Sequence, residues 1–90
     1  MNVSVNVKVT GTDPWVATVR VVQEGRHSEH RVTVTGSDLE RYGAPDAKGL
    51  VHRSFVFLLG REPNTSILPE FRITEIERYF PDYRTKIQRG

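Results

Sequence analysis

Three histidines, a few glutamates and a scatter of arginines are the side chains with reactive or ligating potential, so the first question is which of them the spacing lets act together. His27 and His30 are three apart in a stretch that reads as a strand, where side chains alternate. They point to opposite faces and cannot share a metal, and His52 stands alone. His30 falls on the expected core face opposite Val19, where a partly buried, hydrogen-bonded imidazole is the simpler reading. A zinc site would need donors the chain does not assemble. With no cysteine, disulfides and thiolate ligands are excluded. There is no Gly-x-Ser-x-Gly elbow, and Gly43 and Gly49 are too sparse for a phosphate loop. Glu62, Glu75 and Glu77 could be paired carboxylates, but capping and solvation account for them. The residues therefore point away from an enzyme and call for no cofactor and no metal.

Three polar features remain as candidates for binding. Arg61-Glu62-Pro63-Asn64 is the most unusual polar run. It is either an exposed recognition loop, with Arg61, Glu62 and Asn64 presented to a partner, or a structural tie in which Pro63 turns the chain. Lys8, Arg20 and Arg31 share the outer face of the expected sheet, followed at the end of the chain by Arg84, Lys86 and Arg89. That suits weak nucleic-acid binding, but no aromatic is available there for base stacking and Glu29 offsets Arg20. The third feature is the edge of the first strand, regular and guarded mainly by Lys8, which could pair with a copy of itself or an extended segment of another protein.

The elements that position these residues can be derived from periodicity. Ala47, Leu50, Val51, Ser54, Phe55, Leu58 and Leu59 follow the spacing of one helix face, with Asp46 placed as N-cap and Gly60 as a left-handed C-cap. Val3, Val5, Val7 and Val9 alternate with polar residues, the period of a half-buried strand. Trp15 to Gln23 and Arg26 to Thr35 read as two further strands about a Glu24-Gly25 turn. A two-residue loop there sets Arg20 opposite Glu29, Val19 opposite His30, Ala17 opposite Val32 and Trp15 opposite Val34. A five-residue loop in the first hairpin would set Val9 opposite Trp15 and Val7 opposite Ala17.

Ser37-Asp38-Leu39-Glu40 and Thr74-Glu75-Ile76-Glu77 both match the capping box, so short helices are expected after each. Ser66 to Phe71 reads as a helical turn or an irregular apolar patch, and residues 84–90 as a frayed basic tail. The resulting fold class is α+β, a three-stranded antiparallel meander with helices packed on one face, in the order β-β-β-α-α. The expected core is Val5, Val7, Trp15, Ala17, Val19, Val32, Val34, Leu50, Val51, Phe55, Leu58, Ile76 and Phe80.

Ninety residues with 37% hydrophobic content make one domain, spanning 1–90. Thirteen basic against eleven acidic residues give a net charge of +2, too mild to demand an anionic partner. No apolar run approaches the ~20 residues of a membrane span, and no signal-like block precedes the first strand, so a soluble cytoplasmic protein is the expectation. Asn2-Val3-Ser4 and Asn64-Thr65-Ser66 match the glycosylation sequon and are read as chance.

From Phe55 the chain reads Phe-x-Leu-Leu-x-Arg-Glu-Pro, then Ser-Ile-Leu, then Phe-x-Ile-x-x-Ile-x-x-Tyr-Phe-Pro-x-Tyr. Phe55 to Tyr83 thereby resembles the C-terminal half of a family of short, uncharacterised bacterial proteins, in which an acidic residue stands where this chain has Gly60. The resemblance implies a self-standing domain and no activity. The sequence thus favours a small non-catalytic protein-binding module, acting through the edge strand or the Arg61–Asn64 loop. Its partner would be another protein or, weakly, a second copy. Weak nucleic-acid binding is the alternative.

Overall fold

The valine alternation becomes three long strands in a computed structural model of the chain, which describes residues 3–89. Asn2 of the first sequon, the side chain of Arg89, and Gly90 fall outside the described residues. The strands are β1 (Val3–Gly11), β2 (Trp15–Gln23) and β3 (Arg26–Val34), paired antiparallel as a meander. The β2–β3 register is the one the two-residue turn dictates, with Val19 opposite His30 and Trp15 opposite Val34. Glu24 and Gly25 both have positive φ, 50° and 81°, matching the right-handed twist of the strands they join.

The first hairpin differs from expectation. Val9 lies opposite Ala17 and Val7 opposite Val19, because Gly11 does not break β1 but pairs with Trp15, leaving a three-residue loop of Thr12, Asp13 and Pro14. The shift is two residues, so the valines keep their face. The Asp13–Pro14 peptide is cis. Asp13 also reaches across the fold: its Oδ1 accepts from Gly36 N at 2.9 Å, and a Cβ on Gly36 would sit 2.9 Å from Asp13 Oδ2. Glycine at 36 is what permits that approach.

Helix α1 (Gly36–Tyr42) does carry a capping box, but two residues earlier than expected. Thr35 is the N-cap: its hydroxyl accepts from Asp38 N at 3.2 Å, and Asp38 Oδ2 accepts from Thr35 N at 2.8 Å. Thr35-x-x-Asp38 prevails over Ser37-x-x-Glu40 because Gly36 starts the helix instead of separating it from β3. Helix α2 (Ala47–Leu59) is the expected central helix, with Asp46 accepting from Gly49 N at 2.6 Å. Gly60 ends it in the right-handed region (φ −76°), not the left-handed one, since Arg61 N and Glu62 N continue the turn onto Leu58 O.

The second half holds the larger corrections. After a 3₁₀ turn (Asn64–Ser66), the stretch expected as a helical turn or irregular patch supplies a fourth strand, β4 (Glu70–Arg72), parallel to β3. Arg31 N donates to Pro69 O at 2.8 Å and Ile73 N to Thr33 O at 3.1 Å, so β3 is interior and the sheet order is β1-β2-β3-β4. Helix α3 (Glu75–Tyr79) follows without a capping box: Thr74 is itself helical in φ/ψ, and Glu75 accepts from Arg72 N at 2.8 Å. The expected frayed tail is a helix, α4 (Tyr83–Arg89), whose Tyr83 and Ile87 are buried. The architecture is α+β, a four-stranded mixed sheet with helices against one face.

The core lies between that face and the helices. Val9, Ala17, Val32 and Phe71 form one row across the sheet, and Val7, Val19 and His30 the next. Phe55 of α2 packs over them, its ring 5.2 Å from His30 and 6.1 Å from Phe71. Of the expected core, Val5, Trp15 and Phe80 are only partly buried, whereas Val21, Tyr42, Ile67, Phe71, Ile73, Tyr83 and Ile87 join it. Tyr83 stacks edge-on to Tyr42 and Phe57, and its hydroxyl lies 2.6 Å from Ser54 Oγ. Ser54 spends its proton on Leu50 O at 2.7 Å, so Tyr83 is the donor in that pair. With Phe55 at 0% exposure, Phe55→Ala should cost ~3–5 kcal/mol. A chemical-denaturation shift of under ~1 kcal/mol would show that α2 does not hold the core through this ring.

Candidate functional site

The Arg61–Asn64 run is built into the structure more than it is displayed. Asn64 is fully buried, and its amide nitrogen donates to Arg26 O at 2.9 Å and Ser28 Oγ at 3.1 Å, with Val21 O at 3.5 Å. Its backbone N–H donates to Gln23 Oε1 at 2.9 Å. Two carbonyls and a hydroxyl surround the nitrogen, which fixes the orientation of the amide. Its carbonyl oxygen is left buried with no hydrogen bond. Arg61 lays its guanidinium 4.3 Å from the Phe57 ring centre and pairs with Asp82. Glu62 is half-buried at the rim of a cleft of about 360 Å³, whose floor includes Leu58, Ile67, Phe71 and Ile76.

Asn64 continues into a line of bonds through His30. Leu68 O can only accept, so the 2.7 Å contact makes His30 Nδ1 the donor. Nε2 then accepts from the Ser28 hydroxyl at 2.9 Å, and Ser28 accepts from Asn64. The sequence marked His30 as a buried hydrogen-bonded residue but missed this relay, because Asn64 reaches Ser28 from 36 residues away and Leu68 reaches His30 from 38. Among the described residues no group of three or more His, Asp or Glu side chains could hold a metal.

Lys8, Arg20 and Arg31 do share the outer face. Lys8 lies opposite Thr18 and Thr18 opposite Arg31, so the two cations are separated by a threonine. Arg20 pairs with Glu29 at 3.4 Å, both exposed. The fourth strand adds Glu70 directly opposite Arg31, and Arg72 opposite Thr33. The face therefore alternates in sign. It is not near Arg61 or Asn64, which lie on the helix side.

A second polar cluster was not legible in the sequence. Arg41 of α1 grips Glu77 of α3 with two bonds, Nε to Oε1 at 3.1 Å and a terminal nitrogen to Oε2 at 2.9 Å. These hold the Glu77 carboxyl below its usual range. Tyr42 lies beside them, fully buried, with no hydrogen bond to its hydroxyl within bonding distance. Burial first, and then the Glu77 carboxylate, push it up to about 12. Both oxygens of Glu77 are occupied and Tyr42 is closed to solvent, so the cluster is a clasp between helices and not a reaction centre.

Two sheet edges remain. β4 is three residues long, follows Pro69 and carries Glu70 and Arg72, which makes it a blunted edge. β1 is nine residues long with no proline. Along its open side runs a groove of about 590 Å³ between Ser4–Val7 and the first turns of α2. Among the described residues no helix is long and apolar enough to cross a membrane. No protein-family model, curated protein or solved structure matches this chain.

Asn64→Ala should destabilise the fold by about 1–3 kcal/mol, because it strips Arg26 O and Ser28 Oγ of a buried donor. Denaturation midpoints measure this, and an unchanged midpoint would return Asn64 to the list of recognition residues. The Arg41–Glu77–Tyr42 clasp predicts the pH dependence. Glu77, lowered when folded, contributes stability that is present above its ordinary value of 4.5 and lost as pH falls below it. Tyr42, raised when folded, contributes stability that is present below pH 10 and lost as pH rises to about 12. Glu77→Gln should flatten the acid limb of a stability–pH curve and Tyr42→Phe the alkaline limb. Parallel curves for variants and parent would rule the clasp out as a source of stability.

Proposed function

We propose that this protein is a non-catalytic binding module that takes up an extended polypeptide segment along the open edge of β1. The observation that carries the reading is the contrast between the two edges: β4 is short and guarded, whereas β1 offers nine residues of regular backbone beside an open groove. Backbone N–H and C=O groups on such an edge form bonds with an added strand whatever its sequence. The alternative site, the Arg61–Asn64 loop, has less to offer a partner. Asn64 is spent internally, Arg61 is stacked and paired, and only Glu62 reaches a surface cleft.

Nucleic-acid binding through the outer face is the weaker reading, with Glu29 and Glu70 set among Lys8, Arg20 and Arg31. Membership of a family of short bacterial proteins rests on the Phe55–Tyr83 resemblance alone. The reading is tested by selecting random peptides against the folded domain and following amide exchange on binding. Selected peptides should be β-prone and should slow exchange in β1 while leaving β3 unchanged. Binders that leave β1 exchange untouched would move the function elsewhere.

A further inference from the structure

The groove beside β1 also carries information about what fills it. Its β1 wall contributes Ser4 and Asn6 and no charge, and its α2 wall contributes Lys48, His52 and Arg53. The one carboxylate in the lining is Asp46, which is committed to Gly49 N at 2.6 Å as the cap of α2. Further along β1 the only charged residue is Lys8. A strand added at this edge would therefore run with cationic side chains on its helix side and a further lysine on its outer side, and would meet no uncommitted acid in the groove.

We infer that the segment received at the β1 edge is acidic, with carboxylates on the alternate positions that face α2, and that it belongs to another protein and not to a second copy of this chain. The inference rests on the edge-addition reading. Geometry and charge together disfavour the second copy. Antiparallel pairing of β1 with itself relates the two chains by a twofold axis across the shared edge, which leaves both α2 helices on the same side of the joined sheet. Lys48 and Arg53 of both chains would then lie on one side of the shared edge, and the two Lys8 side chains would share the outer face. Like charges set opposite one another oppose pairing. An acidic strand reverses the contacts with Lys48 and Arg53 on the helix side, where Val5 and Val7 also lie, and its other face can remain β-branched beside Ser4, Asn6 and Lys8.

The probes are three capped peptides that alternate valine with glutamate, with threonine or with lysine. Each is titrated into the full chain while β1 amide exchange is followed. The glutamate peptide should bind about tenfold or more tighter than the threonine peptide at low salt, a difference of about 1.4 kcal/mol. The advantage should shrink as salt approaches 1 M, where the Debye length falls to about 3 Å. In the double variant Lys48→Glu with Arg53→Glu the order should invert, the lysine peptide binding best. Both positions tolerate glutamate as helix residues, and a circular dichroism spectrum like the parent's establishes that the variant is folded. Equal affinity for the glutamate and threonine peptides, with β1 protected by both, would overturn the acidic-partner inference and leave edge addition standing. A molecular mass that doubles with concentration in the absence of peptide, with β1 protected, would overturn it in favour of self-pairing. Failure of all three peptides to protect β1 would remove the edge-addition reading and this inference with it.

Discussion

The return of the chain onto β3 depends on one buried line of hydrogen bonds, Asn64 to Ser28 to His30 to Leu68. Its bonds run from the Asn64 amide through the Ser28 hydroxyl and the His30 ring to the Leu68 carbonyl, which can only accept. Such a line is intolerant of displacement, because a half-satisfied network in a low-dielectric interior is costlier than an apolar one. It pins the 3₁₀ turn against the β2–β3 hairpin at one end and the start of β4 at the other. The positions of Ile67 and Phe71 in the core, and of α3 beyond them, follow from that anchorage.

Helix α2 is the second organiser, and it works differently. Phe55, Leu50 and Val51 contribute by area, without direction, and Ser54 adds one directional bond to Tyr83. The apolar face fills the space over the sheet, while the polar line fixes which segment arrives beside β3. Packing of this kind tolerates substitution of similar volume, whereas the relay does not. The same helix turns its first two turns toward the β1 edge, so one element both closes the core and shapes the only long strand edge left open among the described residues.

The first half of the fold was legible because its signals are local. A two-residue turn at Glu24-Gly25 determines the register of two strands, and the Ala47–Leu59 period determines a helix. The first hairpin departs from its local pattern by two residues because Gly11, a breaker by type, extends the pairing to Trp15. The Ser37 capping box was a plausible competitor to the Thr35 one, and nothing in the pattern of hydroxyls and acids separates them. β4 carried no legible signal, since three residues cannot display a period, and its pairing is a tertiary event. In α4, Tyr83 and Ile87 stand four apart, a helical signal obscured by the cations between them. Among candidate binding residues, the placement of Lys8, Arg20 and Arg31 on one face followed from alternation. The internal role of Asn64 depended on partners 36 to 43 residues away, beyond the reach of any local pattern.

The parallel pairing of β3 with β4 has a consequence for how the chain is made. The valine-rich meander emerges first, and its hairpins close in about 1–10 μs. Its apolar face waits for α2, β4 and α4, roughly fifty residues further on, which a ribosome adds at about 5–20 residues per second. For several seconds the nascent protein therefore presents a twisted sheet with one greasy side and two bare margins, β1 and β3. The second margin is covered only when Glu70–Arg72 has been released. The apolar side and both margins are thus exposed together until the last third of the sequence has been added.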